Sequence, residues 1–404
     1  MQQERRLHKT RAVAALMKRK KQALWQNVLL AAGGLLFAFC LIEITVRLVY
    51  PQGDYFSTFD PVIGYTHVPG MHGRPMLPGS FDPAVTMNSY GFYDHEYSRQ
   101  KPNGTVRIAV LGDSYTEALQ VSLQDTFHKL LELKLTNATG KKVEVLSFGV
   151  GGFGTCDEYL VWQAYAKQFD PDIVIVAFLT LNDISDNANS FVTNTARPRC
   201  YLASDGSVAF VPPQEPLKNK LLRPIYRRSH AARLGFKMLK ILAAARATHG
   251  EDCVAQRSAM MSIYYDEDTE ENAYGWRVTE RLLTDLRDEV AREGREFYVV
   301  SLANPEQTDR AVWEEQFAQC PALKDKANDI FRPDKRLKDI ATRNGIALLQ
   351  LAPIFQREYE DKGVAMHLPM DRHWNAAGHR LAADQMGAWL LDVSPALKQA
   401  AHQR

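Results

Sequence analysis

From residue 106 onward, short apolar runs alternate with stretches of helical periodicity. Val106-Arg107-Ile108-Ala109-Val110-Leu111 is closed by Gly112 and suits a buried strand. From Ser122 to Thr136 the spacing turns helical, with Phe127, Leu130, Leu131 and Leu135 on one face. Val143 to Phe148 predicts a second strand ended by a glycine cluster, and Thr155 to Lys167 a second helix. Ile173 to Leu179 is apolar at every position, the pattern of a central parallel strand covered on both sides. The alternation resumes with a helix near Trp276 to Arg292, a strand from Phe297 to Leu302, a helix near Pro333 to Asn344 and a strand from Ile346 to Leu351. A last helix is expected from Asn375 to about Ala400. Strand-helix alternation predicts an α/β fold of three layers, α/β/α, around a central parallel sheet.

The pattern differs outside these segments. Val28 to Ile42 is an uninterrupted apolar stretch, and carried on to Tyr50 it is long enough for a bilayer-spanning helix, which needs roughly 20 residues. Glu43 and Arg47 stand four apart and would share a helix face. Trp25 and Tyr50 mark the two ends, where amphipathic rings favour headgroups. Residues 51–104 are rich in Pro and Gly and predict an irregular or hairpin-rich lead-in. Residues at about 187–270 break the alternation with two cysteines, several prolines and a basic helical stretch, so an insertion is expected there. The organisation is therefore 1–25 basic segment, 26–50 transmembrane helix, 51–104 lead-in and 105–404 catalytic domain with its insertion.

Composition changes this picture little: 46% hydrophobic and 24% charged residues describe an ordinary folded chain. The formal net charge of +2 selects no partner, but its placement is informative. Arg5, Arg6, Lys9, Arg11, Lys18, Arg19, Lys20 and Lys21 crowd the start, leaving a mildly acidic remainder with no nucleic-acid-binding character. Basic residues before an apolar helix place the N-terminus in the cytoplasm and everything after Tyr50 outside, at an inner (cytoplasmic) membrane. A cleaved signal peptide would start similarly, but no small-x-small site follows, and Phe39 before Cys40 does not fit lipoprotein processing. Outside the cytoplasm, Cys156, Cys200, Cys253 and Cys320 are expected to form disulfides, with Cys200–Cys253 the first choice among three pairings. No two cysteines have metal-ligand spacing, and no metal or organic cofactor is implied.

Ligands in an open parallel sheet bind at the carboxyl ends of the strands. After the first strand comes Gly112-Asp113-Ser114-Tyr115-Thr116, with Ser114 at or near a helix start. A plain N-cap is the everyday reading of such a serine, and Thr116 fails the second glycine of a G-x-S-x-G elbow. After the second strand, Gly149-Val150-Gly151-Gly152-Phe153-Gly154 lets backbone amides approach a substrate oxygen, or simply packs strand against helix. After the third, Asn182 offers an amide donor at the same edge, though a lone asparagine there is usually a turn residue. Past the last strand lies Met370-Asp371-Arg372-His373-Trp374-Asn375. In an extended chain Asp371 and His373 would project to one side, letting the carboxylate orient an imidazole that serves Ser114. Asn375 would cap the last helix, and His367 and His379 nearby read as structural. Each feature alone has a bland explanation. Together they supply nucleophile, backbone donor, amide donor and oriented base at one sheet edge.

Gly112-Asp113-Ser114, Gly152, Asn182 and His373 resemble, in chain order, the four blocks of the SGNH (GDSL-type) hydrolase family, whose fold is flavodoxin-like. The resemblance covers roughly residues 88–391, and Met87 to Phe92 is similar to a segment found in membrane-anchored members. It implies Ser114 as nucleophile, His373 as base, Asp371 as its orienter, and an oxyanion hole from the Ser114 and Gly152 amides and Asn182. Two departures stand out. Thr180 replaces a glycine of the third block, and Asp371-Arg372-His373 is one residue shorter than the usual Asp-x-x-His. The shorter spacing, followed by Trp374, resembles the last block of alginate-type polysaccharide acetylation proteins. The expected activity is a serine-dependent esterase removing small acyl groups, acetyl above all, from an envelope or exported carbohydrate. The alternatives are an O-acyltransferase beside a membrane acyl-exporting protein, and a non-catalytic carbohydrate-binding subunit.

Overall fold

The computed structural model describes residues 2–188, 195–247 and 252–402. Residues 189–194 and 248–251, within the expected insertion, and the side chains of residues 2–16 in the basic segment lie outside that description. The described chain forms two compact units: Met1–Gln52 with Arg228–Leu242, and Gly53–Arg227 with Ala243–Arg404.

The first unit is dominated by one α-helix, Gln2–Val49, so the basic segment continues into the apolar one without a break. Its Met17–Val49 part, 33 residues, is long and apolar enough to cross a membrane. At about 1.5 Å per residue that stretch exceeds the roughly 30 Å of a hydrocarbon core. Leu30, Leu35, Leu36 and Phe37 on it are exposed. Arg47 Nε donates to Glu43 Oε1 at 2.5 Å, as their spacing of four anticipates.

The second unit is built on five parallel strands, here β1 (Val106–Gly112), β2 (Val143–Gly149), β3 (Ile173–Phe178), β4 (Glu296–Ser301) and β5 (Ala347–Gln350). Their order across the sheet is β2-β1-β3-β4-β5, every neighbouring pair parallel. This is the flavodoxin-like winding, in which the order reverses between β1 and β3 and opens a crevice at their carboxyl ends. Alternation of side chains sorts the strands into two cores. Ile108, Val110, Ile173 and Ile175 pack with Phe127, Leu131, Leu135 and Met386 on one face. Ala109, Leu111, Val174 and Val176 pack with Trp162, Trp276, Leu286 and Leu337 on the other. Helices therefore cover both faces, giving the three layers expected from the alternation.

Local differences have simple causes. The expected last helix is two, Ala376–Val393 and Pro395–His402, because proline has no N–H to continue the ladder past Ser394. The basic stretch of the insertion is likewise two helices, Leu217–Arg228 and His230–Ala247. The insertion also contributes an antiparallel hairpin, Arg199–Leu202 with Val208–Val211. That hairpin meets the Glu270–Arg292 helix, where the Leu202 amide donates to the Tyr274 hydroxyl at 3.1 Å.

The disulfides correct the expected pairing. Cys200 bonds to Cys156, not to Cys253, and Cys253 bonds to Cys320, with Cα separations of 6.0 and 5.5 Å. The reason is packing: Cys156 and Cys200 share a small core with Val278 and Leu282, whereas Cys253 and Cys320 belong to one with Tyr264 and Leu323. The second bond closes 67 residues, a loop for which chain entropy alone gives about 4 kcal/mol. A Cys253→Ser, Cys320→Ser variant should therefore unfold at a clearly lower urea midpoint; an unchanged midpoint would leave the bond without a stabilising role.

Candidate active site

The candidate site residues lie on loops at the carboxyl ends of β1, β2 and β3 and on the loop before the Ala376–Val393 helix. β1 ends in Gly112, where a Cβ would stand 2.2 Å from Thr116 Oγ1 and 3.2 Å from Ala177 Cβ. Only glycine lets the chain turn this tightly into the short helix Ser114–Glu117. The N-cap of that helix is Asp113, whose Oδ1 accepts from the Tyr115 amide at 2.9 Å. Ser114 is thus the first helical residue and its hydroxyl does not cap; the everyday reading of this serine is replaced by one residue's shift.

Ser114 Oγ lies 2.7 Å from His373 Nε2, and His373 Nδ1 lies 2.7 Å from Asp371 Oδ1. An ionised carboxylate only accepts, so Nδ1 carries the proton and Nε2 is left to receive one from the serine. The segment is not extended, contrary to the sequence expectation. Leu368-Pro369 opens a turn closed by the Arg372 amide donating to the Leu368 carbonyl at 2.8 Å. Arg372 then takes φ +74, and this left-handed step brings Asp371 and His373 together across the shorter spacing. The Arg372 side chain pairs with the fully buried Glu306, and its carbonyl accepts from the Tyr115 hydroxyl at 3.0 Å. Trp374 Nε1 donates to the Ala303 carbonyl at 2.9 Å, and its ring stacks on Phe355. Asn375 caps the next helix through the amides of Ala377 and Gly378.

The glycine loop after β2 runs alongside. A Cβ on Gly149 would meet the Glu117 amide nitrogen at 2.3 Å, and one on Gly151 would stand 3.6 Å from Ser114 Cβ. Gly152 adopts φ +79, with the Tyr65 hydroxyl beside it; that hydroxyl donates to the Gly151 carbonyl at 2.7 Å. Among the described residues, neither the Ser114 nor the Gly152 amide donates to a protein acceptor. Asn182 precedes the Asp183–Asn187 helix without a side-chain bond to its amides; its Nδ2 donates to Asp186 Oδ2 at 3.3 Å, leaving one amide hydrogen for another acceptor. Thr180 is fully buried.

Electrostatics differ from residue to residue. Burial of the His373 ring pulls its pKa down, but the hydrogen bond and charge of Asp371, with Asp113 and Glu117 beyond, outweigh it and the net shift is upward. His367 is held near 4 by burial, its Nε2 hydrogen-bonded to the Ala303 carbonyl at 3.1 Å. His379, held near 3 by burial, accepts from the Phe127 amide and stays neutral. Burial raises Asp113, Glu158 and Asp183; the Tyr115 amide and the His373 charge oppose it at Asp113, whereas neighbouring carboxylates add to it at Glu158 and Asp183. Asp157 and Asp186 are bridged by Arg197 at 2.7 and 3.1 Å. Among the described residues, no group of His, Cys, Asp or Glu is placed to hold a metal ion.

Two residues near the loops had no announcement in the sequence. Tyr65 and His67 come from the lead-in strand Gly64–His67, and His67 Nε2 contacts the carboxylate of Glu117, the last residue of the Ser114–Glu117 helix. Arg372, in the sequence only the residue between Asp371 and His373, holds its turn through Glu306 and the Tyr115 hydroxyl.

No family model matches the sequence, and no curated protein matches it. Solved structures do match. An acetyl xylan esterase, AlAXEase, aligns at 14% identity over 70% of this chain and 100% of its own, TM-score 0.37. A two-domain esterase active on acetylated mannans aligns at 13% identity over 74% and 50%, TM-score 0.39. A lipase/acylhydrolase from Enterococcus faecalis aligns at 12% identity over 70% and 95%, TM-score 0.36.

Proposed function

We propose that this chain is a membrane-anchored, serine-dependent esterase that removes small acyl groups, acetyl above all, from an envelope or exported carbohydrate. The observation that carries this reading is the relay of two 2.7 Å contacts, Ser114 Oγ to His373 Nε2 and His373 Nδ1 to Asp371. In it, His373 takes the Ser114 proton as Oγ attacks the ester carbonyl. The oxyanion is held by the free amides of Ser114 and Gly152 and the spare hydrogen of Asn182; one such donor is typically worth ~10²–10³ in rate. His373 returns the proton to the leaving sugar oxygen, and water then repeats the sequence on the acyl-serine. The helix Met17–Val49 holds the enzyme in the inner membrane, with the N-terminus cytoplasmic and the second unit outside.

The carbohydrate assignment rests on the Asp371-Arg372-His373-Trp374 segment and its resemblance to polysaccharide acetylation proteins. The same segment favours one alternative, in which a sugar hydroxyl replaces water and a membrane acyl-exporting protein supplies the donor. The two readings share the acyl-enzyme and differ in the acceptor that reaches it. The test offers the purified ectodomain an acetylated oligosaccharide and follows both products. Free acetate, with a fluorophosphonate probe attached at Ser114, is the expected result. Acylated acceptor in place of acetate turns the assignment to transfer, and an unlabelled, inert protein leaves only a carbohydrate-binding role.

The raised His373 pKa gives the pH dependence. The base must be neutral, so kcat/KM should rise with pH and reach half its plateau above the ordinary histidine value of about 6.5. A midpoint well below that value would show that Asp371 does not act on the ring.

A further inference from the structure

We propose that the first turns of the His230–Ala247 helix lie on an anionic lipid bilayer surface, beside the point where the N-terminal helix leaves the membrane. This goes beyond the esterase reading but rests on its anchor, the membrane-crossing role of Met17–Val49.

The first observation is a junction within one compact unit. Glu43, inside the apolar stretch, accepts from Ser229 Oγ at 2.7 Å, from the His230 amide at 3.0 Å and from the Ala231 amide at 2.9 Å. Arg47 bonds both to Glu43 and to the Arg228 carbonyl, and the Gln52 amide donates to His230 Nδ1 at 2.9 Å. Glu43 therefore caps the second helix, satisfying amides that a helix start leaves unpaired. An ionisable residue in a spanning segment is costly unless partnered; here the partners are Arg47 and this helix start. Glu43 is six residues from the end of the stretch, about 9 Å along the axis. A helix that begins there begins at bilayer level.

The second observation is the composition of that helix. Arg233, Lys237 and Lys240 recur at i, i+4 and i+7 and share one stripe; Leu234, Met238, Ile241 and Leu242 share another. Residues 228–242 contain no acid. Phe236, Met238, Leu239, Ile241 and Leu242 are exposed, and Lys240 sits 4.9 Å from the Phe236 ring centre. An apolar face beside a basic stripe is the arrangement of a helix lying in the interfacial plane, with basic residues drawn to anionic headgroups. Continuity with the anchor and this charge complementarity both select a bilayer as the occupant.

The test uses the full chain with Cys40→Ser, reconstituted in vesicles of phosphatidylcholine with or without phosphatidylglycerol. An environment-sensitive fluorophore is placed at Leu239→Cys in one sample and at Phe37→Cys in another, and nitroxide-labelled lipids act as depth-graded quenchers. In the phosphatidylglycerol vesicles quenching of both probes is expected, at shallow depth for position 239 and deep for position 37, and without phosphatidylglycerol the quenching at 239 should weaken. Arg233→Gln, Lys237→Gln and Lys240→Gln together should release position 239 in the phosphatidylglycerol vesicles, each lost cation weakening attraction about fivefold. A quenched position 37 with an unquenched position 239 overturns the inference and leaves the anchor standing. Neither probe quenched removes the anchor and the inference together. Equal quenching at 239 without phosphatidylglycerol, or cross-linking of 239 between copies in place of lipid contact, also overturns it.

Discussion

Ser114→Ala is expected to lower kcat for p-nitrophenyl acetate by at least about 10³-fold while leaving the fold intact. The first half follows from the chemistry: without Oγ there is no acyl-enzyme, and what survives is binding and oxyanion stabilisation acting on water. The second half follows from the cap. Asp113, not Ser114, accepts the Tyr115 amide, so the truncated hydroxyl removes no helix-starting bond. Loss of the 2.7 Å contact to His373 leaves that ring still held by Asp371. A melting curve matching the wild type, beside a lost rate, is the expected pair of results. Retention of full activity would end the serine mechanism.

Asp371→Asn carries the second large effect, on the order of 10⁴ in kcat, by favouring the wrong imidazole tautomer. An asparagine that donates its amide hydrogen to Nδ1 leaves the ring proton on Nε2, where the serine needs an acceptor. The substitution also removes the hydrogen bond and charge that raise His373, so the midpoint of the remaining activity should move to lower pH. That shift separates the role from a packing one, since a loosened loop would lower the rate without moving the midpoint. Glu306 and Tyr115 hold the intervening Arg372 from its side chain and its carbonyl, so the loop itself should survive the change.

The sheet was readable from the chain because its strands are apolar on both faces and short, and because helical spacing fills the gaps between them. Ile173 to Leu179 could be little else, and the structure makes it the central strand β3. Most residue types of the site were readable for the same reason: Ser114, Gly152 and Asn182 follow strand ends, where this winding gathers ligands, whereas Asp371 and His373 come after a further helix, Ala352–Lys362. Its geometry was not. Arg372 enters the left-handed region although arginine gives no local sign of doing so, the step being fixed by the turn and by Glu306. Tyr65 reaches Gly151 across 86 residues of chain, a contact that spacing cannot announce. The cysteine pairing failed likewise, because sequence nearness of Cys200 and Cys253 says nothing of which helix each packs on.

The separation of 259 residues between hydroxyl and imidazole has a consequence for biogenesis. Synthesis runs from the N-terminus, so a nascent chain has Ser114 long before it has residue 373 to take its proton. Until then His373 is missing, and by the proposed mechanism the serine hydroxyl keeps its proton and stays a weak nucleophile. Under the proposed mechanism, reactivity would begin only once the Ala376–Val393 helix has seated against the sheet.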